Sequence, residues 1–218
     1  EKGLQWQRAL LLLEEMECSS VLPTIITYSA AISACEKGKQ WRQAWRLLED
    51  IRQVQLLPDI VNYNAAISSC ERSAKWQLAC LLLAEARQRR LAPDVISYSA
   101  ALSTCEKSRE WRRALALLQE AQAARVLPNL VMCCAAMAAC GACQQPVAVL
   151  RLLRGMRRAA LEPSVVSLEA PLEAAERRGR RRLGLELLEA VQRKAIALSP
   201  QIVGRPVGPL TAGALRTY

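Results

Sequence analysis

The chain has no histidine and no phenylalanine. Without histidine, the usual neutral-pH general base and the commonest nitrogen ligand of zinc are both missing. No Gly-rich phosphate loop and no paired nucleophile and base occur along its 218 residues. Catalysis is therefore not expected, nor is a cofactor. Uncharged apolar runs never reach the roughly eighteen residues of a membrane-spanning helix, so no such span is expected. Strand-like alternation is absent as well.

Nine cysteines would suggest disulfides in a secreted chain. Their placement argues otherwise. Cys35, Cys70, Cys105 and Cys140 recur every 35 residues, each on an apolar helical face. Equivalent positions on stacked helices lie about 8–10 Å apart, beyond the roughly 7 Å between Cα atoms that a disulfide tolerates. They read as small buried hydrophobes in a reducing compartment. Cys140-Gly-Ala-Cys143 beside Cys133 and Cys134 has metal-site spacing, but Cys140 holds a repeated core position and a helix separates the two pairs. No metal is expected.

What is abundant points to helix. Ala, Leu and Arg dominate, 52% of residues are apolar, and the net charge is +10. An excess of that size suits a polyanionic partner, with solubility as the plainer reading. Above all, the chain repeats itself. Trp6, Trp41, Trp76 and Trp111 are 35 residues apart, as are Tyr28, Tyr63 and Tyr98, and Pro23, Pro58, Pro93, Pro128 and Pro163. A Leu-Leu pair keeps that interval six times, from Leu12-Leu13 to Leu187-Leu188. Independent residue types sharing one period are not chance.

Each unit reads as a helix hairpin. Within 25–59, Tyr28, Ala31, Ile32 and Cys35 fall at i, i+3, i+4 and i+7, one face of a first helix. Glu36-Lys37-Gly38-Lys39 breaks that face, with a glycine where a helix end favours one. Trp41, Ala44, Trp45, Leu47, Leu48 and Ile51 build a second, longer helix, stopped by Leu57-Pro58-Asp59. Ala9, Ala44, Ala79 and Ala114 let the two helices approach closely. One hairpin cannot bury its own apolar faces, so neighbours must stack to complete the core. The expected architecture is an all-α solenoid of tandem helix-turn-helix repeats.

Residues 1–24 supply the second half of a truncated repeat. Repeats follow at 25–59, 60–94 and 95–129, then a divergent repeat at 130–164, a degenerate capping repeat at 165–199 and a Pro/Gly-rich extended tail at 200–218. The half repeat is expected to expose an apolar face that more chain or a partner covers. In the last two repeats Tyr gives way to Cys133 and Leu168, Trp to Pro146 and Arg181, and Ala to Val149 and Gly184. Pro171 should kink or shorten its helix. The tail has no helical period and is expected to order only against another surface, such as protein subunits of a larger complex.

The 35-residue period, the two helices, the string TYSAAISACEKGKQW at 27–41 and the closing Leu-Pro-Asp together resemble the pentatricopeptide repeat family. The resemblance covers residues 1 to 199 and is most specific within 25–129. Tetratricopeptide repeats, the nearest rival, run about 34 residues with a differently placed signature. The Trp and Glu-Lys-Gly elements look like the variety abundant in dinoflagellate algae. The resemblance implies a right-handed α-solenoid in a chloroplast or mitochondrion, binding single-stranded RNA or rRNA, with one base per repeat read by two side chains.

In that family one reader follows the Tyr of the first helix and the other follows the closing Pro. The implied pairs are Ser29 with Asp59, Asn64 with Asp94, and Ser99 with Asn129, with Cys134/Ser164 and Glu169/Ser199 in the degenerate repeats. A short Ser leaves room for a purine. An Asn amide fills the space beside a pyrimidine, and exchanging an Asp acceptor for an Asn donor reverses which base edge is satisfied. The family's code makes the three good repeats readers of G, U and A, 5′ to 3′; Cys134 and Glu169 are assigned no base. Ile26, Val61, Ile96, Val131 and Val166 would clamp bases between repeats. Lys37, Arg72, Lys107 and Arg177 would face phosphate, with Ala142 interrupting the track. Arg177, Arg178, Arg180, Arg181 and Arg182 form the densest basic cluster and are expected to touch phosphate too.

Each position also has a plainer reading. Ser, Asn and Asp near helix starts are ordinary caps. A β-branched residue is routinely packing, and a recurring cation can be solvated loop charge. The repeated Trp, in phase with Leu and Ala, reads as core and not as a stacking platform. Two functions of different class stay open. One is an RNA-binding solenoid of organellar RNA metabolism; the other is a non-catalytic architectural subunit of a large organellar assembly, such as a ribosome or membrane complex.

Overall fold

The computed structural model describes residues 5–161, and among these the helical spacing becomes nine α-helices and no strand. Helix α1 (Gln5–Cys18) stands alone. Four pairs follow: α2 (Ile25–Gly38) with α3 (Trp41–Gln53), α4 (Ile60–Glu71) with α5 (Trp76–Gln88), α6 (Val95–Lys107) with α7 (Trp111–Ala123), and α8 (Leu130–Ala142) with α9 (Pro146–Arg158). The segments 165–199 and 200–218, the end of 130–164, and with them Pro171, Val166, Ser164, Glu169, Ser199 and Arg177 to Arg182, lie outside the described residues.

Local chemistry sets the helix starts. The Asp59 carboxylate accepts the Asn62 backbone N–H at 2.9 Å, and Asn62 Oδ1 accepts the Asp59 N–H at 3.0 Å. Asp94 and Ser97 repeat this reciprocal cap at 2.9 and 3.1 Å. Asn129 accepts the Met132 N–H at 2.9 Å, but methionine cannot return the bond. At α9, Pro146 occupies the first turn, where its missing N–H costs nothing.

Gly38 stands near the helix end as expected, as the last residue of α2, but the left-handed residue is Lys39. Ala74, Arg109 and Gln144 take the same conformation at 35-residue intervals, and Ser20, Gln55, Arg90, Arg125 and Ala160 do so after the second helices, with φ between 49° and 62°. None is glycine. Each places the next N–H on a carbonyl five residues back, as in Gln40 N–H to Cys35 O at 2.9 Å. Gly38 has a different reason: a Cβ there would collide with the Trp6 indole.

Tyr28, Tyr63 and Tyr98, the four periodic cysteines and Ala44, Ala79 and Ala114 are all buried in the shared core. Every cysteine among the described residues is free. Burial pushes the Cys35 and Cys70 thiols up to about 11 and Cys140 to about 12. The repeated Trp is not fully core, contrary to expectation. Trp6, Trp41, Trp76 and Trp111 pack only partly against it, because the first turn of each second helix lies at the edge of the stack. Arg42 and Lys75 sit 5.0 and 5.5 Å from the Trp41 ring centre, and Arg112 lies 5.3 Å from that of Trp111. Leu12 is 60% exposed although its equivalents Leu47, Leu82 and Leu117 are buried, since among the described residues no helix packs on the outer side of α1.

First helices pack directly on one another, α2 on α4, α4 on α6 and α6 on α8, while the second helices form no comparable layer. Closer spacing on one side bends the stack and puts the first helices on its inner surface. Along the outer row, Arg52 Nη2 donates to Glu85 Oε2 at 2.6 Å and Arg87 Nη1 to Glu120 Oε2 at 3.1 Å. The Tyr63 hydroxyl joins them, donating to Glu85 Oε1 at 2.9 Å. Gln122 and Gly155 carry no such charges at the next step. There an apolar cavity of about 310 Å³, lined by Leu118, Cys133, Leu152 and Met156, separates α7 from α9.

Candidate nucleic-acid interface

Helical geometry puts three sequence-predicted positions of each first helix on one stripe. Val61 and Asn64 lie one turn apart on α4, and Arg72, the residue that caps its C-terminus, follows Val61 by eleven residues, about three turns. Ile26, Ser29 and Lys37 repeat the stripe on α2, and Ile96, Ser99 and Lys107 on α6. Direct packing of the first helices sets these stripes side by side.

The apolar member of each stripe faces solvent. Ile26 is 76% exposed, Val61 58%, Ile96 60% and Val131 57%. Packing within the solenoid therefore does not explain them. Four β-branched side chains thus meet solvent at a 35-residue interval, as apolar walls would.

The polar members are organised more than the sequence implied. Ser29 Oγ donates to the Ile25 carbonyl at 2.7 Å and accepts from Asn62 Nδ2 at 2.7 Å. Asn62 belongs to the next hairpin and also closes the cap on Asp59, so one side chain joins both members of the first pair. In the second pair, Asn64 Nδ2 donates to Asp94 Oδ1 at 3.2 Å, and Ser97 Oγ donates to Asn64 Oδ1. Asn64 is consequently only 9% exposed. Burial opposes ionisation of Asp94, but hydrogen bonds from the Ser97 N–H and from Asn64 outweigh it, with the Ser97 hydroxyl close by, and hold the carboxyl below the usual range. Ser99 and Asn129 have Met132 in the corresponding place, and no side chain joins them.

Asn62, Ser97 and Met132 were not singled out from sequence. Their signal was available: each stands three residues after a helix cap, the return position of a capping box.

Lys37 and Arg72 are exposed and make no ion pair among the described residues, whereas Lys107 Nζ donates to Glu71 Oε1 at 2.7 Å. Ala142 holds that place on α8. Away from this surface, Cys80 Sγ accepts from Arg113 Nε at 3.2 Å. The Cys105 thiol and then Arg113 hold the Cys80 thiol below its ordinary range despite burial, and Cys80 in turn pushes Cys105 up. Among the described residues no group of three or more Cys, Asp or Glu side chains is placed to hold a metal, and no helix is long and apolar enough to cross a membrane.

The family model for the pentatricopeptide repeat domain matches residues 46–108 and 81–143, and that for the single repeat matches 26–55. The chain belongs to the pentatricopeptide repeat family. Among solved structures, the repeat protein PPR10 bound to an 18-nucleotide psaJ RNA element is similar with a TM-score of 0.71 at 20% identity, over 87% of this chain and 28% of that one. Maize PPR10 gives 0.65 at 26% identity, over 88% and 27%. The repeat domain of Arabidopsis thaliana protein-only RNase P 1, in complex with tRNA, gives 0.68 at 12% identity, over 75% and 86%. The chain thus spans a little over a quarter of PPR10. No curated protein sequence matches it.

Proposed function

We propose that this pentatricopeptide-repeat solenoid binds single-stranded RNA along its inner surface, one base per repeat, and that it acts in organellar RNA metabolism as a binding protein and not as an enzyme. The carrying observation is the inner surface itself: exposed apolar walls at Ile26, Val61, Ile96 and Val131 alternate with polar pairs whose donors and acceptors are already assigned. A base inserted between two walls would be stacked on both faces and met at its edge by one pair.

The assignments follow from hydrogen counting. The Ser29 proton is committed to the Ile25 carbonyl, so toward a base Ser29 can only accept, as can Asp59. Two acceptors suit the N1–H and N2–H of guanine. At the second pair, ionised Asp94 accepts and Asn64 has one Nδ2 proton left, matching the N3–H and an adjacent carbonyl of uracil. Cytosine would set its N3 lone pair against the carboxylate. Asn129 Oδ1 is held by the Met132 N–H, which turns its NH₂ outward as a donor for adenine N1. The reading is 5′-GUA. Lys37, Arg72 and Lys107 then follow the phosphates.

The test is titration with labelled single-stranded RNA carrying GUA, in competition with the same RNA scrambled at those positions. GUA should win, and Asn64→Ser should relax discrimination at the middle base. Absence of binding even at low salt, where phosphate contacts are strongest, would overturn the proposal and leave the architectural role.

A further inference from the structure

The Asn62 and Ser97 side chains are almost completely buried, yet neither is used by the core. Both polar groups of each point at a reader pair of the preceding repeat. Asn62 donates its amide N–H to Ser29 and accepts the Asp59 backbone N–H on Oδ1. Ser97 gives its hydroxyl to Asn64 Oδ1, accepts the Asp94 N–H at 3.1 Å, and lies 3.0 Å from the Asp94 carboxylate. The two junctions are complementary in size: a long amide meets the short Ser29, and a short hydroxyl meets the long Asn64. At the third junction Met132 is equally buried but offers no hydrogen for Ser99 to accept.

We infer that the third residue of each following repeat is a positioning residue that fixes which donors and acceptors the preceding pair shows to a base. This rests on the reading of Ser29/Asp59, Asn64/Asp94 and Ser99/Asn129 as base readers. An Asn amide is nearly symmetric in shape, and turning it over exchanges a donor for an acceptor. For Asn64 the turn would set Oδ1 against the Asp94 carboxylate and forfeit the bond that Oδ1 accepts from the Ser97 hydroxyl. Asn62 does the equivalent for Ser29 by occupying one lone pair, while the Ile25 carbonyl takes the proton. Ser99 has no such constraint, so its hydroxyl rotates and can present either polarity. The first two bases are therefore read sharply and the third loosely, although all three pairs consist of sensible reader residues.

Two substitutions test this in opposite directions. Ser97→Ala keeps the Asp94 cap on the backbone N–H but leaves the Asn64 amide held by Asp94 alone. Discrimination of U over C at the middle base should fall roughly 3- to 10-fold, the range of a single hydrogen bond, with little loss of affinity for RNAs that keep U. Met132→Asn recreates beside Ser99 what Asn62 provides beside Ser29, and should raise discrimination at the third base by a similar factor. The probes are short single-stranded RNAs differing only at the base in question, with thermal unfolding followed in parallel. A purely structural role would lower the unfolding temperature of S97A and weaken all RNAs alike. Unchanged U-over-C discrimination in S97A, with wild-type binding intact, overturns the inference alone. Should M132N fail to fold, S97A decides by itself. Wild type that binds no RNA, or binds without regard to the GUA positions, overturns the underlying reading instead.

Discussion

Salt dependence offers the sharpest check on how the basic track meets RNA. On a single strand, each phosphate neutralised contributes about −0.7 to the slope of log affinity against log salt. Three cations would give about −2.1, so a fourfold rise in salt would weaken binding about 18-fold, and one contact accounts for about 2.6-fold of that. The structure makes the three unequal. Lys37 and Arg72 are exposed and outside any described ion pair, but Lys107 is already paired with Glu71 at 2.7 Å. To take a phosphate, Lys107 must exchange one anion for another. Lys37→Gln or Arg72→Gln should each reduce the slope by about 0.7, and Lys107→Gln by distinctly less. Glu71→Gln should release Lys107 and steepen the slope. Fluorescence anisotropy over a salt series reads all four. Equal effects at the three cations would refute the pairing argument, and no effect at any would remove the track from the RNA path.

Three further outcomes follow from particular residues. Val61→Ala and Ile96→Ala should leave thermal stability within about 0.5 kcal/mol, because these side chains face solvent, yet weaken RNA binding several-fold through lost stacking; a stability loss with unchanged binding would return them to packing. Ala74→Gly should stabilise the fold by about 1 kcal/mol, since Ala74 is held at φ 49° where glycine meets no Cβ penalty; chemical denaturation showing destabilisation would contradict the left-handed turn. Alkylation of Cys80, followed by mass spectrometry, should climb less with pH in the unaltered chain than in Arg113→Ala, because Cys105 and Arg113 hold the Cys80 thiol below its ordinary range; equal climbs in the two chains would refute the Arg113 contact.

The period alone identified helices, their order and their buried faces. Tyr28, Ala31, Ile32 and Cys35 face inward because 3.6-residue geometry leaves them no alternative once a neighbour stacks there. Such spacing is local, so it is written in consecutive residues. Gly38 was legible only in part for the same reason: its place near a helix end shows in the sequence, but only the approach of Trp6, from the preceding helix, reveals what it makes room for.

The bonds that join one repeat to the next on the inner surface span 30 to 36 residues: Asn62 to Ser29, Asn64 to Asp94, Ser97 to Asn64 and Lys107 to Glu71. Whether such pairs meet depends on the rotation and distance between successive hairpins, which the sequence of one repeat does not contain. The exposure of Ile26, Val61, Ile96 and Val131 has the same origin. Sequence by itself determined which residues recur on each first helix. Tertiary structure decided which of them turn outward and which hold one another in place, because solvent access and the bonds between repeats are set between helices and not along them.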